Sequence, residues 1–237
     1  MKQSLFACLL LLSLGAFAQH EVSVKKKDRK KDVQLLTDSG KIILRLSDST
    51  PLHRDNFLKL VKQGFYDTVL FHRVIQNFMI QAGDPSSKHA KKDEHLGSGG
   101  PTNTITAEFR LTMFHKRGVL AAARTGDDVN PKKESSGSQF YIVQGKKFTS
   151  YGLDSVETFR LKGRKIPPDH RQVYETIGGA PHLDQSYTIF GEVISGMDVV
   201  DKIAASKTSG KEEGDRPLQD IHIIKASLIK RSKQMTN

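Results

Sequence analysis

Phe71 to Pro85 reads F-H-R-V-I-Q-N-F-M-I-Q-A-G-D-P, with one arginine and one final glutamine among residues that otherwise belong in a core. Apolar and polar pairs alternate from Leu70, and Phe78, Met79 and Ile80 then precede Gln81. This spacing predicts two short strands meeting near Gln76 and Asn77, with Ala82-Gly83-Asp84-Pro85 as the stop. Alternation across such strands places Arg73, Phe78, Met79 and Gln81 along one edge of a sheet. The chemistry on offer is a fixed cationic donor and an amide beside an aromatic ring and a thioether. The competing account is an arginine whose stem covers apolar surface while its head reaches water. His72, adjacent in sequence, is expected on the opposite face as a buried structural histidine.

Three more segments bear on that choice: Gly118 to Ala123 (G-V-L-A-A-A), Gly137 to Ile142 (G-S-Q-F-Y-I), and His182-Leu183-Asp184 leading to Thr188-Ile189-Phe190-Gly191. In this order, over most of Asp32 to Ile229, the four resemble the cyclophilins, the peptidyl-prolyl cis-trans isomerases. The resemblance implies a mainly β fold: a closed eight-stranded antiparallel barrel capped by two α-helices. It also implies rotation about an X-Pro amide, whose barrier of roughly 18–20 kcal/mol comes from partial C–N double-bond character. Uncatalysed, that rotation takes on the order of tens to hundreds of seconds. No nucleophile, general base, metal or other cofactor is required.

In the twisted amide the proline nitrogen regains its lone pair, and a cationic donor aimed at it binds that state better than the planar one. The resemblance gives this role to Arg73. It places Phe78, Met79, Tyr141 and Leu183 around the proline ring, with Gln81 and Gln139 bonding the substrate backbone and helping to hold Arg73. Ala123, Arg124 and Thr125 would flank the peptide. Three positions depart from the commonest eukaryotic pattern. Arg124 replaces asparagine, which leaves its backbone for the peptide and frees its side chain for another role. Tyr187 replaces histidine, as in bacterial members, and His182 replaces the tryptophan associated with cyclosporin binding, so weak cyclosporin binding is expected.

The elements that must position these residues are legible in the same way. Val33 to Thr37 and Lys41 to Leu46 flank Asp38-Ser39-Gly40 as a hairpin. Ser49-Thr50-Pro51 predicts a helix start with a capping hydroxyl and proline at the first helical position, and Gly64 its end. Ser86 to Thr102 is a polar, glycine-rich loop without the spacing of a phosphate cradle. Gly118 to Arg124 and Gln139 to Val143 predict buried strands, with Phe140 facing the core and Tyr141 the groove. Ser150 to Ala180 is a charged insertion with two helical patterns, the second capped by Asp169. It either widens the substrate contact or is neutral decoration. Leu183 to Val193 reads as a strand, Gly196 to Ala205 as the second capping helix, and Ile221 to Ile229 as a closing strand paired with the first.

The full chain has 237 residues, enough for one substantial domain with appendages. Lys2 and the apolar run Leu5 to Phe17 are too short to span a bilayer and end at Ala16-Phe17-Ala18. They read as a secretory signal cleaved after Ala18, making the protein periplasmic or secreted and removing Cys8, the sole cysteine. Residues 19–31 read as a flexible leader, 32–230 as the isomerase domain and 231–237 as a tail. The formal charge of +11 admits a nucleic-acid partner, but the lysine clusters lack the interleaved aromatic rings of a stacking platform. No histidine pair shows zinc spacing, so no metal is expected. The reading is a monomeric isomerase acting on proline-containing polypeptides. Its competitor is a proline-binding chaperone module with little turnover.

Overall fold

The computed structural model describes residues 22–92, 94–101 and 103–231. The signal-peptide reading and the tail beyond Arg231 lie outside the described residues. Strands β1 (Lys31–Thr37) and β2 (Gly40–Leu46) form the expected hairpin around Asp38-Ser39. Their inward residues Val33, Leu35, Ile42 and Leu44 are wholly buried, the period of two that a one-sided strand requires. Strands β3 (Phe71–Ile75) and β4 (Met79–Ala82) meet through a tight turn with Asn77 at φ +63°. β5 (Val119–Ala122), β6 (Phe140–Val143), β7 (Ile189–Ser195) and β8 (Ile223–Lys230) complete an antiparallel sheet ordered β3-β4-β6-β5-β7-β2-β1-β8.

This sheet curls into a half-barrel. β8 pairs with β1 as expected, but the end strands β3 and β8 share no ladder. They are linked by one bridge, Leu70 to His222, and by short bonds such as Phe71 N–H to the Ile221 carbonyl at 2.9 Å. The fully closed barrel that the resemblance implied is therefore present only as this stitch. The expected strand from Leu183 begins only at Ile189, because a 3-10 turn occupies Pro181–Leu183.

Helices α1 (Pro51–Lys62) and α4 (Met197–Ala204) supply Phe57, Leu58, Val200 and Ile203 to one core inside the curl. The Phe57 ring lies 4.9 Å from Tyr66 and 5.3 Å from both Phe140 and Phe190. Gly64, at φ +66°, ends α1 as expected. The start of α1 differs from expectation. Thr50 makes no side-chain cap; the buried carboxylate of Glu108 accepts instead from the backbone N–H groups of Leu52 and His53, at 3.3 and 3.0 Å. A full negative charge suits the positive end of a helix better than a hydroxyl does.

The stretch read as a flexible leader docks in part. Asp28 is buried and accepts from Lys62 Nζ at 2.8 Å, and Val24 packs on the core. Two further helices, α2 (Ser150–Phe159) and α3 (Pro168–Thr176), make up the insertion. Asp169 is not the α3 cap. The helix starts one residue earlier, at Pro168, which has no N–H to leave unpaired. The insertion has its own small core of Leu153, Ile166 and Tyr174.

Beside that core, Glu157 accepts from Lys165 Nζ at 2.7 Å, Ile166 N–H at 3.0 Å and Arg171 Nη1 at 2.7 Å. Burial alone would raise its carboxyl, but these donors outweigh burial and bring it down to about 2. A depressed folded-state value means stability that is complete above the ordinary carboxylate range and lost as pH falls from there toward about 2. Glu157→Gln should therefore speed amide exchange in α2 and α3 by about tenfold at pH 7, while exchange in β1 and β2 is unchanged. The difference between variant and parent should shrink as pH falls below 4.5.

Candidate active site

Strands β5 and β6 are apolar on both faces, and the outer face makes the site. Leu120, Ala122, Phe140 and Ile142 enter the main core. Val119, Ala121, Ala123, Tyr141 and Val143 point the other way and join Met79, Ala180, Leu183 and Ile189 in a second cluster. Phe78 and Tyr187 pack on its rim. Above this floor lies a cleft of about 330 Å³, within the range of small-ligand sites.

Arg73, Met79 and Gln81 reach the cleft from β3 and β4, and Phe78 from the turn between them. Ala123 and Arg124 come from the end of β5, Tyr141 from β6, and Leu183 and Tyr187 from the segment before β7. Three expected residues stand back. His182 packs its ring, tilted by 35°, against Phe78 at 5.3 Å. Thr125 is exposed and accepts from Arg124 Nη1 through its carbonyl at 2.8 Å. Gln139 donates Nε2 to the carbonyls of Gly97 and Gly99, both at 2.8 Å, and accepts at Oε1 from Gln81 at 3.0 Å. Both ends of its amide are thus used inside the protein, so Gln139 latches a loop. The two glutamines bond each other and not Arg73.

Reading the sequence did not find Leu96, Gly97, Ser98 or Gly214, which also line the cleft, nor His72 as a lining residue. His72 is buried as expected, at 3% exposure, yet it shares the cleft with Arg73. A register shift between Phe71 and Arg73 breaks the alternation that had assigned the two to opposite faces. The loop residues are placed by Asp84, whose wholly buried carboxylate accepts from Gly97 N–H at 2.6 Å and Gly99 N–H at 3.2 Å. Burial would raise that carboxyl, but the N–H groups of Gly97, Ser86 and Gly99 hold it below its ordinary value. Any side chain at Gly99 would collide with Asp84, so glycine is required there.

Arg73 is 42% exposed at its side chain, with its Nε 3.7 Å from Asp215 Oδ2. Asp215 is fixed by its own carbonyl, which accepts Val74 N–H at 2.9 Å. Arg124 turns away from the solvent. Its Nε donates to the Ser186 carbonyl at 2.7 Å, its Nη2 lies 2.6 Å from Asp127, and its guanidinium sits 4.5 Å over the Tyr187 ring. Burial lowers both His72 and His182 to about 4. Asp84 opposes this at His72, and Arg160 reinforces it at His182. Both rings are therefore neutral at pH 7.

The family model of cyclophilin type peptidyl-prolyl cis-trans isomerases matches residues 32–228. The chain belongs to that family. A relative from Staphylococcus epidermidis, named as a peptidyl-prolyl cis-trans isomerase, is 33% identical over 198 residues, covering 83% of this chain and 91% of its own. Another so named, from Staphylococcus aureus, is 34% identical over 195 residues, covering 81% and 88%. A crystal structure of a Cryptosporidium parvum cyclophilin superposes with a TM-score of 0.61 at 23% identity, covering 85% of this chain and 99% of that one. The same protein crystallised in the presence of the dipeptide Ala-Pro gives 0.61 at 22%, covering 84% and 99%. The cyclophilin fold and the isomerase class are thereby shown. Among the described residues no cluster of histidine and acidic groups could hold a metal, and no helix is long and apolar enough to cross a membrane.

The glutamine latch in this isomerase is open to a direct test. Gln139→Ala removes, besides its bond from Gln81, the two bonds that hold the loop, of about 1 kcal/mol each, so amide exchange at Gly97 and Gly99 should rise roughly 30-fold. The thermal midpoint should change little, since the strands of the core keep their ladders.

Proposed function

We propose that Arg73 drives the isomerisation by donating a hydrogen bond to the proline nitrogen of the twisted X-Pro amide. The observation that carries this is a guanidinium of fixed base and open head, beside an apolar floor of Phe78, Met79, Tyr141 and Leu183. The ring of proline fits such a floor, and the preceding carbonyl stays free to turn toward the open side. With both histidines neutral and Arg124 paired to Asp127, Arg73 is the cleft's available cation. Gln81 lines the same cleft and spends its Nε2 on Gln139, which leaves its Oε1 to accept a substrate N–H. That a related cyclophilin was crystallised with Ala-Pro supports a proline-containing ligand here.

A charge-assisted hydrogen bond of about 1.5–3 kcal/mol corresponds to roughly 10–150-fold in rate. Packing of the ring and exclusion of water supply the rest. The clients we propose are exported polypeptides during folding, on the strength of the N-terminal Lys2 to Ala18 pattern.

The test is isomerisation of a short X-Pro peptide by the protein beside its Arg73→Ala variant. We expect kcat/KM to fall at least 10-fold and the thermal midpoint to stay within about 2 °C, because the lost head is largely solvated. Folded protein that binds the peptide without turning it over would establish the chaperone reading instead. Asp215→Asn should lower kcat/KM more modestly, about 3-fold, by loosening the aim of Arg73. An unchanged rate would show that Asp215 does not position it.

A further inference from the structure

Behind the cleft floor a chain of buried polar groups runs from the insertion to the proline pocket. Tyr174, wholly buried on α3, donates its hydroxyl to Asp184 Oδ2 at 2.7 Å. Asp184 Oδ1 accepts twice from His115, from the backbone N–H at 2.8 Å and from ring Nδ1 at 3.0 Å. A carboxylate only accepts, so Nδ1 carries a proton, and in the neutral ring Nε2 then has the lone pair. That lone pair receives the Tyr141 hydroxyl at 3.0 Å. Every member is at least nine-tenths buried.

The attachment of the insertion to this chain is close and direct. Gly179 lets the Tyr174 ring approach to within 2.6 Å of where a side chain would begin. Ala180 N–H donates to the His115 carbonyl at 2.8 Å, and Arg164 Nη2 donates to the Asp184 carbonyl at 2.6 Å. At the far end, the Tyr141 ring packs edge-on against Tyr187 at 5.9 Å, the same ring that Arg124 covers.

We infer that the helical insertion sets the affinity of the proline pocket: Tyr174 is a positioning residue that, through Asp184 and His115, fixes the Tyr141 ring in the cleft floor. The inference rests on the proposed site. It gives the insertion a role beyond decoration and makes the pocket's shape depend on a helix absent from a minimal fold. A floor ring held at one tilt contacts proline alike in the planar and twisted amide. Loosening it should therefore raise KM and leave kcat alone.

The experiment measures KM and kcat for a short X-Pro peptide in the full chain and in Tyr174→Phe, which keeps the ring and removes only the hydroxyl. We expect KM to rise about 5-fold with kcat within about 2-fold, the equivalent of one buried hydrogen bond. His115→Gln should act similarly, and Tyr174→Phe with His115→Gln should do no more than the larger single change. Thr176→Ala, exposed on the same helix, should change neither constant. Should Tyr174→Phe not fold, Arg164→Ala loosens Asp184 from the surface, with KM expected to rise about 2-fold. A lowered thermal midpoint with unchanged KM, or effects that multiply in the double variant, would overturn the inference and leave the isomerase reading intact. A wild-type chain that neither isomerises nor binds the peptide would overturn both.

Discussion

Strands β5 and β6 are buried on both faces, and the rest of the molecule follows from the need to cover them twice. Inside the curl, α1 and α4 and the rings around Phe57 complete the cover. Outside, no second sheet exists among the described residues, so the cover is built from chain segments: the Pro181–Leu183 turn, Tyr187, and the insertion behind them. Such a cover cannot seal a sheet face as a packed layer does. The gap it leaves, floored by Met79, Tyr141 and Leu183, is the cleft. The candidate site is thus what remains of an incompletely covered face, and its floor is apolar because the strands beneath it are.

Segments without ladder partners must satisfy their backbone groups by other means. Buried carboxylates do so here, among them Glu108 at the start of α1, Asp84 under the Gly97–Gly99 loop, Glu157 inside the insertion, and Asp184 behind Tyr141. Burying an ionised carboxylate is costly unless several donors surround it. Each of these four has at least three. The consequence is specificity of loop position, since a carboxylate deprived of its donors would be left unpaired in the interior. This is why a cleft walled mainly by loops can hold a defined shape.

Strong alternation made the hairpins, the outward Tyr141 and the inward Phe140 legible, because a strand's period of two is written in neighbouring residues. Arg73, Phe78, Met79 and Gln81 were legible together for the same reason. His72 was misplaced because a one-residue register shift leaves no local mark when apolar residues stand on both sides. The α1 cap was misassigned because Ser49 and Thr50 carry the usual capping chemistry, while the group that does the capping is more than fifty residues away. Asp215, the latching role of Gln139 and the Tyr174–Asp184–His115 chain depend on contacts that no periodicity encodes. Side chains of ordinary type gain their roles there only from distant partners.

The weakness of the Arg73–Asp215 contact bears on function. A bidentate carboxylate at close range would fix the guanidinium firmly but occupy the donors a substrate nitrogen needs. At 3.7 Å and partly solvated, the pair contributes about 1 kcal/mol or less, enough to bias the head's direction and too little to hold it closed. Arg124 is the opposite case: its guanidinium is fully engaged by Asp127, Ser186 and Thr125. Two arginines thus line one cleft in different roles, one immobilised to hold a wall and one left underbonded. Under the proposed mechanism, the underbonded one retains donors for a nitrogen that becomes basic only as the amide twists.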